Sequence, residues 1–205
     1  MAAAVLAAGV LRTFLPPQLR IHDARWLFLL LLGVLIIVLI VGDPGRIDRQ
    51  ARWLRNLTGG LIGLITLVNG GSSVKLVISI IYSEPFTQTA RVLLACGGII
   101  WLTNVIAFGL LYWELDRGGP VRRAGGDRQH TDFLFPQMAT PDVAPPDWEP
   151  AFLDYLYVSY TNGTAFSPTD TMPLSRWAKM LMLAQSAIAL ATVVLVVARA
   201  VNILA

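Results

Sequence analysis

The sequence predicts an all-α integral membrane protein with four transmembrane helices, five if the N-terminal segment also crosses, plus a short re-entrant pore-type helix before the last span. Three observations carry that expectation. Apolar stretches of membrane-crossing length alternate with short polar breaks, 55% of the 205 residues are hydrophobic against 14% charged, and mean hydropathy is +0.61. Soluble chains carry about 25% charged residues, so a water-facing core reading does not suit this composition. The formal net charge of +3 and pI near 9.4 do not point to nucleic acid. The arginines flank apolar spans, where they mark topology, and no basic stretch is interleaved with aromatics.

Taken in order, residues 1–25 form an N-terminal unit whose apolar part, Met1–Leu11, is short and has no positive charge before it, unlike a signal peptide. Arg12, Pro16 and Pro17 interrupt it, leaving an interfacial helix or a short span as the two readings. Residues 26–113 hold three full spans. The first is Trp26–Val41, almost unbroken Leu, Ile and Val, ended by Gly42-Asp43-Pro44. In the basic loop 43–57, Arg46, Arg49, Arg52 and Arg55 recur at every third position, the spacing of a voltage-sensing helix. Asp48, Gln50 and Asn56 between them are polar, which favours a juxtamembrane helix against anionic headgroups instead.

Leu57–Ile81 is the second span and contains Gly59-x-x-x-Gly63, a spacing that permits close helix approach. Its centre, Asn69-Gly70-Gly71-Ser72-Ser73 with Lys75, is polar for a lipid-facing surface. Lys75 either lines a wet cavity or pairs with a carboxylate, or else snorkels to the interface. A turn at Glu84-Pro85 leads to the third span, Ala90–Trp113, in which Gly97-Gly98 offers a seat for a neighbouring helix and Thr103 and Asn104 offer hydrogen bonds within the bundle. The single cysteine, Cys96, lies inside this span and reads as a small packing residue. The linker 114–147 is rich in Gly, Pro and charge and is expected to be irregular and solvent-facing. Its His130 stands alone, so no metal site is expected.

Residues 148–205 form the last unit. Trp148, Phe152, Tyr155, Leu156 and Ser159 fall at helical spacing, Pro150 suits a first turn, and Thr161-Asn162-Gly163-Thr164 is expected to end the helix in turn chemistry. A helix of about ten residues is too short to cross a bilayer, which takes about 20, but it can dip in and return if its backbone groups face protein or water. Leu174–Leu204 is the final span, with Ser175 as its cap candidate. Gln185 and Thr192 share one of its faces and either line a conduit or hydrogen-bond between helices. Arg199 and Asn202 are placed to meet headgroups or another subunit.

The stretch Phe152–Pro173 resembles the pore helix and filter loop of the tetrameric potassium-channel superfamily. Phe152, Asp154, Leu156, Tyr157 and Ser159 match its helix, Thr164 its first filter threonine, and Asp170 and Pro173 the Asp-x-x-Pro that follows. Ser167, Pro168 and Thr169 stand where that family has Gly-Tyr-Gly, so stacked-carbonyl potassium selectivity is not expected. The chain also resembles an uncharacterised group of bacterial membrane proteins carrying Thr-Ala-Phe-Ser-Pro-Thr-Asp before the last span, which implies no activity. The first resemblance implies a homotetramer in the cell membrane, weakly selective for inorganic cations, with Thr164, Ala165, Phe166, Ser167, Pro168, Thr169 and Asp170 as a filter-like constriction. Asp154, Gln185, Thr192 and Lys75 would be its pore-lining candidates, and Asp154 or Asp170 its acidic ring. The plainer reading has Asp170 capping a turn and Asp154 pairing locally.

The alternative function is a non-conducting scaffold or partner subunit, with Phe166 and Pro168 as a hydrophobic stopper. An enzyme is not expected: there is no His-Glu-x-x-His, no Gly-x-Ser-x-Gly and no Gly-rich phosphate cradle, and no cofactor is implied. The partners expected are membrane lipids and further copies of the chain. Charge bias sets the orientation. Placing loops 43–57 and 114–147 in the cytoplasm puts Arg46, Arg49, Arg52, Arg55, Arg117, Arg122, Arg123, Arg128, Arg176 and Lys179 inside, leaving Arg12, Arg20, Arg25, Arg91 and Arg199 outside. The pore-type loop would then enter from the cytoplasm, resembling the ionotropic glutamate-receptor pore, with the C-terminus outside.

Overall fold

From Arg52 to Leu115 the chain is mostly Leu, Ile, Val, Ala and Gly, broken at Glu84-Pro85, and a long helix forms on each side of that break. The computed structural model describes residues 2–19, 33–34, 52–124, 131–145, 148–164 and 170–205, with the side chains of 2, 52–57, 121 and 124 excepted. In it α1 runs Ala2–Thr13, α2 Arg52–Ile81 and α3 Ala90–Leu115. Two short helices, α4 Pro120–Ala124 and α5 Pro136–Ala139, flank the strand β1, Phe133–Leu134. Then come α6, Phe152–Thr164, the strand β2, Met172–Pro173, and α7, Arg176–Leu204. Among the described residues, three stretches are long and apolar enough to cross a membrane: Thr58–Ile81, Ala90–Gly118 and Arg176–Leu204. The expected first span, Trp26–Val41, lies outside the described residues except for Gly33 and Val34, which are helical; Arg46, Arg49 and His130 also lie outside them.

Helix α2 begins at Arg52, five residues earlier than the apolar run suggests, because no breaker separates Arg52 from Leu57 and arginine is a good helix former. Ser175 caps α7, its hydroxyl accepting the Ala178 N–H at 3.3 Å. Helices α2 and α3 run antiparallel, joined by a 3-10 turn over Pro85–Gln88. Helix α7 packs antiparallel on α3 from the level of Gly97 to that of Tyr112.

Two glycines set the helix spacing. A Cβ on Gly97 would lie 2.8 Å from Val196 Cγ1, and one on Gly109 would lie 3.2 Å from Leu156 Cα, so these positions admit α7 and α6 to close contact with α3. Gly98, Gly59 and Gly63 have nothing within 4 Å of such an atom, so the Gly-x-x-x-Gly spacing seats no helix among the described residues.

Apolar packing divides into two clusters along the bundle. One gathers Val5, Leu61, Ile62, Phe108, Leu111, Tyr112, Phe133, Phe135 and Tyr155 near the C-terminal end of α3. The other gathers Leu15, Leu19, Leu76, Ile80, Ala90, Leu93, Cys96 and Val196 near its N-terminal end. The N-terminal segment runs from the first to the second, so it lies lengthwise along α2 and α3. That course differs from an interfacial helix lying across one end of the bundle.

The linker corrects an expectation. Instead of an open, solvent-facing stretch, residues 131–135 fold back onto the end of α3, with Phe133 fully buried and Phe135 3% exposed. Phe133 packs against Tyr112, Tyr155 and Trp177, and Phe135 against Trp148 and Tyr155. Burying a phenylalanine is favourable by about 1.5–3 kcal/mol, enough to draw a Gly- and Pro-rich segment into the core. β1 then pairs antiparallel with β2, Phe133 opposite Pro173 and Leu134 opposite Met172.

Candidate functional site

Between the two apolar clusters lies a layer of polar side chains. Asn69, Ser72, Ser73, Thr103, Asn104, Ser159, Gln185 and Thr192 are all buried. Buried polar groups favour pairing, and most of these pair between helices, although Thr103 bonds back to the Ile99 carbonyl of its own helix and Asn69 Oδ1 has no hydrogen-bond partner. The Ser73 and Thr192 hydroxyls are 2.6 Å apart; Thr192 also donates to the Ile188 carbonyl, so Ser73 donates to Thr192. Asn69 donates to the Ile100 carbonyl at 3.3 Å, and Arg12 donates to the Ser72 hydroxyl at 3.2 Å. Helices α1, α2, α3 and α7 therefore meet through polar contacts at this level.

Gln185 is the centre of the layer. Its Oε1 accepts the Tyr112 hydroxyl at 2.6 Å and Asn162 Nδ2 at 2.9 Å, while Nε2 donates to the Ser159 carbonyl at 2.8 Å and to the Ser159 hydroxyl at 2.7 Å. A glutamine amide offers two donors and two acceptor sites, and all four are used. Ser159 in turn donates to the Val105 carbonyl at 2.6 Å, and Asn104 donates to the Gln185 backbone carbonyl at 3.4 Å. The amide joins α3, α6 and α7 at one point.

Helix α6 continues through Thr161–Thr164, where turn chemistry was expected to end it. The residues that favour turns have partners that suit a helix here. Thr161 and Thr164 bond back to the Tyr157 and Tyr160 carbonyls, and Asn162 spends its amide on the Met182 carbonyl and Gln185. The end of α6 lies against α3, where Trp101 Nε1 donates to the Gly163 carbonyl at 3.1 Å. Helix α6 thus lies antiparallel to α3, with Phe152 beside Trp113 and Gly163 beside Trp101.

A second polar assembly closes the C-terminal end of α3. Asp116, fully buried, accepts the backbone N–H groups of Asp132 and Phe133 at Oδ1 and the Tyr155 hydroxyl at Oδ2. Asp132 accepts the Arg117 N–H and Trp177 Nε1. Arg123 Nη1 donates to the Trp113 and Asp116 carbonyls, both at 2.8 Å, capping the negative end of the helix dipole, and its guanidinium lies over the Trp113 and Tyr155 rings. Burial pulls the Arg123 guanidinium below its ordinary range, opposed by Tyr155 and Asp116.

Of the residues expected to form a filter, Ala165, Phe166, Ser167, Pro168 and Thr169 lie outside the described residues, while Thr164 and Asp170 at its two ends are exposed. Asp154 is half-buried and accepts the Ala151 N–H at 2.7 Å, the arrangement of a local cap at the start of α6. Gln185 and Thr192 are buried inside the protomer, in the interhelical hydrogen bonds that formed the second of their two readings. Lys75 is half-buried one helical turn from Ser72. The sequence reading did not single out Tyr112, Ser159, Asn162, Asp116 or Asp132 as working together. A signal was present in Asp116, a carboxylate directly after an apolar span and within reach of Arg117 and Arg123. No family model, curated protein or solved structure matches the chain.

Proposed function

We propose that the chain is a non-conducting membrane scaffold or partner subunit built on a pore-loop plan, with α6 as a helix that enters the bilayer to half depth. The observation that supports this reading is the saturation of Gln185 within the protomer. With its polar face spent on α3 and α6, α7 leaves Met180, Leu183, Leu190, Val193, Val194 and Val197 exposed. A conduit lined by such residues would expel water and block ions.

The half-depth placement of α6 follows from lengths. Trp101 lies about 21 Å along α3 from Leu115 at 1.5 Å per residue, and α6 covers about that distance. Met172 and Pro173 are back beside Phe133, at the end where α6 began. The steps from Thr164 to Thr171 reach about 25 Å when extended, enough to return. Because α2 and α7 run opposite to α3, the basic loop before α2 shares that end, and charge bias assigns it to the cytoplasm. Counting Trp26–Val41, the chain would cross four times, and a fifth time if the N-terminal segment, which runs from one apolar cluster to the other, spans as well.

Flux of monovalent cations from liposomes carrying the purified protein tests the reading. The expected result is leakage equal to that of empty vesicles. A second reading, a weakly cation-selective tetrameric channel, is favoured by the exposure of Thr164 and Asp170 and by the C-terminal, partially negative end of α6 lying at half depth. It requires flux that falls several-fold with Asp170→Ala, a result that would overturn the scaffold.

A further inference from the structure

Among the described residues at the end of α3, one guanidinium, that of Arg117, is short of hydrogen-bond acceptors. Both Asp116 oxygens are occupied by Asp132 N, Phe133 N and the Tyr155 hydroxyl, and Asp132 by Arg117 N and Trp177 Nε1. Arg123 is satisfied by two carbonyls. The Arg117 guanidinium has a single ion pair, Nε to Asp116 Oδ2 at 3.5 Å, longer than the 2.7–2.9 Å of a strong charge-assisted bond. Its Nε and Nη2 are buried and have no hydrogen-bond partner, although the side chain retains 11% exposure. A buried guanidinium N–H without an acceptor is costly.

A second arginine reaches the same turn. Arg117 and Gly118 both have left-handed backbone angles, φ 51° and 75°, and the turn they make brings Arg122 back over Gly118. A Cβ on Gly118 would lie 2.7 Å from Arg122 Cδ and 3.1 Å from its Nη1. Arg122 itself is exposed. Two arginines therefore converge on one turn at the end of an apolar span, next to Trp113, an aromatic of the kind that sits at the headgroup level.

We propose that Arg117 and Arg122 form a binding site for a phosphate group, occupied in the membrane by the headgroup phosphate of an anionic phospholipid. Planar guanidinium forks match the tetrahedral oxygens of phosphate, and basic pockets at the ends of membrane helices take such headgroups. The site rests on α3 crossing the bilayer and is independent of whether the chain conducts.

The test uses the full chain in nanodiscs of phosphatidylcholine alone or mixed with phosphatidylglycerol, reading retained lipid by native mass spectrometry and the melting temperature. Phosphatidylglycerol is expected to be retained in preference to phosphatidylcholine and to raise the melting temperature. Arg117→Gln and Arg122→Gln should each cut that retention several-fold, while Arg176→Gln, at the start of α7, leaves it unchanged. Should Arg117→Gln fail to fold, Arg122→Gln carries the test alone, because its side chain is exposed. Inorganic phosphate stabilising the protein in phosphatidylcholine discs, through the same two arginines and without lipid preference, overturns the lipid assignment. Equal retention of both lipids together with no response to phosphate overturns the site itself, as does undiminished retention in Arg122→Gln.

Discussion

Gln185 shows why a polar residue in an apolar helix need not face water. Its four hydrogen bonds hold α6 against α3 and α7, and the Tyr112 and Ser159 side chains that it meets are buried. Gln185→Leu keeps the volume but strands the Tyr112 hydroxyl and leaves the Asn162 amide with the Met182 carbonyl alone, and a stranded buried group costs about 1–3 kcal/mol. We expect that substitution to lower the melting temperature in detergent clearly, and Leu183→Ile, on the exposed side of the same helix, to leave it within error. Equal effects from the two would show that the hydrogen bonds add nothing. A similar contrast separates adjacent glycines: Gly97→Ala meets Val196 at under 3 Å and is expected to destabilise by about 1–3 kcal/mol, whereas Gly98→Ala meets nothing and should be neutral or slightly stabilising.

At the scale of elements, the linker and α6 are secured by carboxylates. Asp116 gathers β1 and α6 onto the end of α3 through two amide N–H groups and one phenol. Replacing it with alanine leaves all three donors without that acceptor at once. Hydrogen exchange at Phe133 and Leu134 should then speed up by at least tenfold, with the Leu61–Ile65 turn of α2 unchanged. Unaltered protection at Phe133 would mean that aromatic packing alone holds the linker. Helix α6 has a second anchor near its C-terminal end, where the Gly163 carbonyl accepts from Trp101 on α3 and the Asn162 amide donates to the Met182 carbonyl on α7.

At the scale of the molecule, the two apolar clusters with a polar layer between them suit a bundle crossing a bilayer, each cluster lying in one half. Sidedness follows from the helix directions. With Cys96 replaced by serine, single cysteines at Val143 and Asp170 should be labelled by an impermeant maleimide from one side of a sealed vesicle, and cysteines at Tyr82 and Asn202 from the other. These four positions are exposed. Labelling of positions 143 and 170 from opposite sides would show that the chain crosses between them and that α6 does not return. The flux assay belongs to this scale too: a sealed bundle gives no leak, and a tetrameric conduit gives one that Asp170→Ala reduces.

Helix positions were legible from the amino acids because runs of Leu, Ile, Val and Ala admit few other outcomes in lipid, where each backbone group must be paired within its own segment. The breaks at Glu84-Pro85 and Pro173 and the cap at Ser175 were readable for local reasons, whereas Trp148 and Pro150, expected within the short helix, lie before its start at Phe152. The partners of the polar groups were not. Whether Gln185 and Thr192 face a conduit or a neighbouring helix depends on how far α7 rotates about its axis, and that rotation is set by contacts made far apart in the chain, such as the close approach of Val196 to Gly97. The fate of residues 131–135 likewise turned on Asp116 and the aromatic rings of α3, α6 and α7. Local chemistry settled which segments are helices, and long-range packing decided what their polar side chains touch.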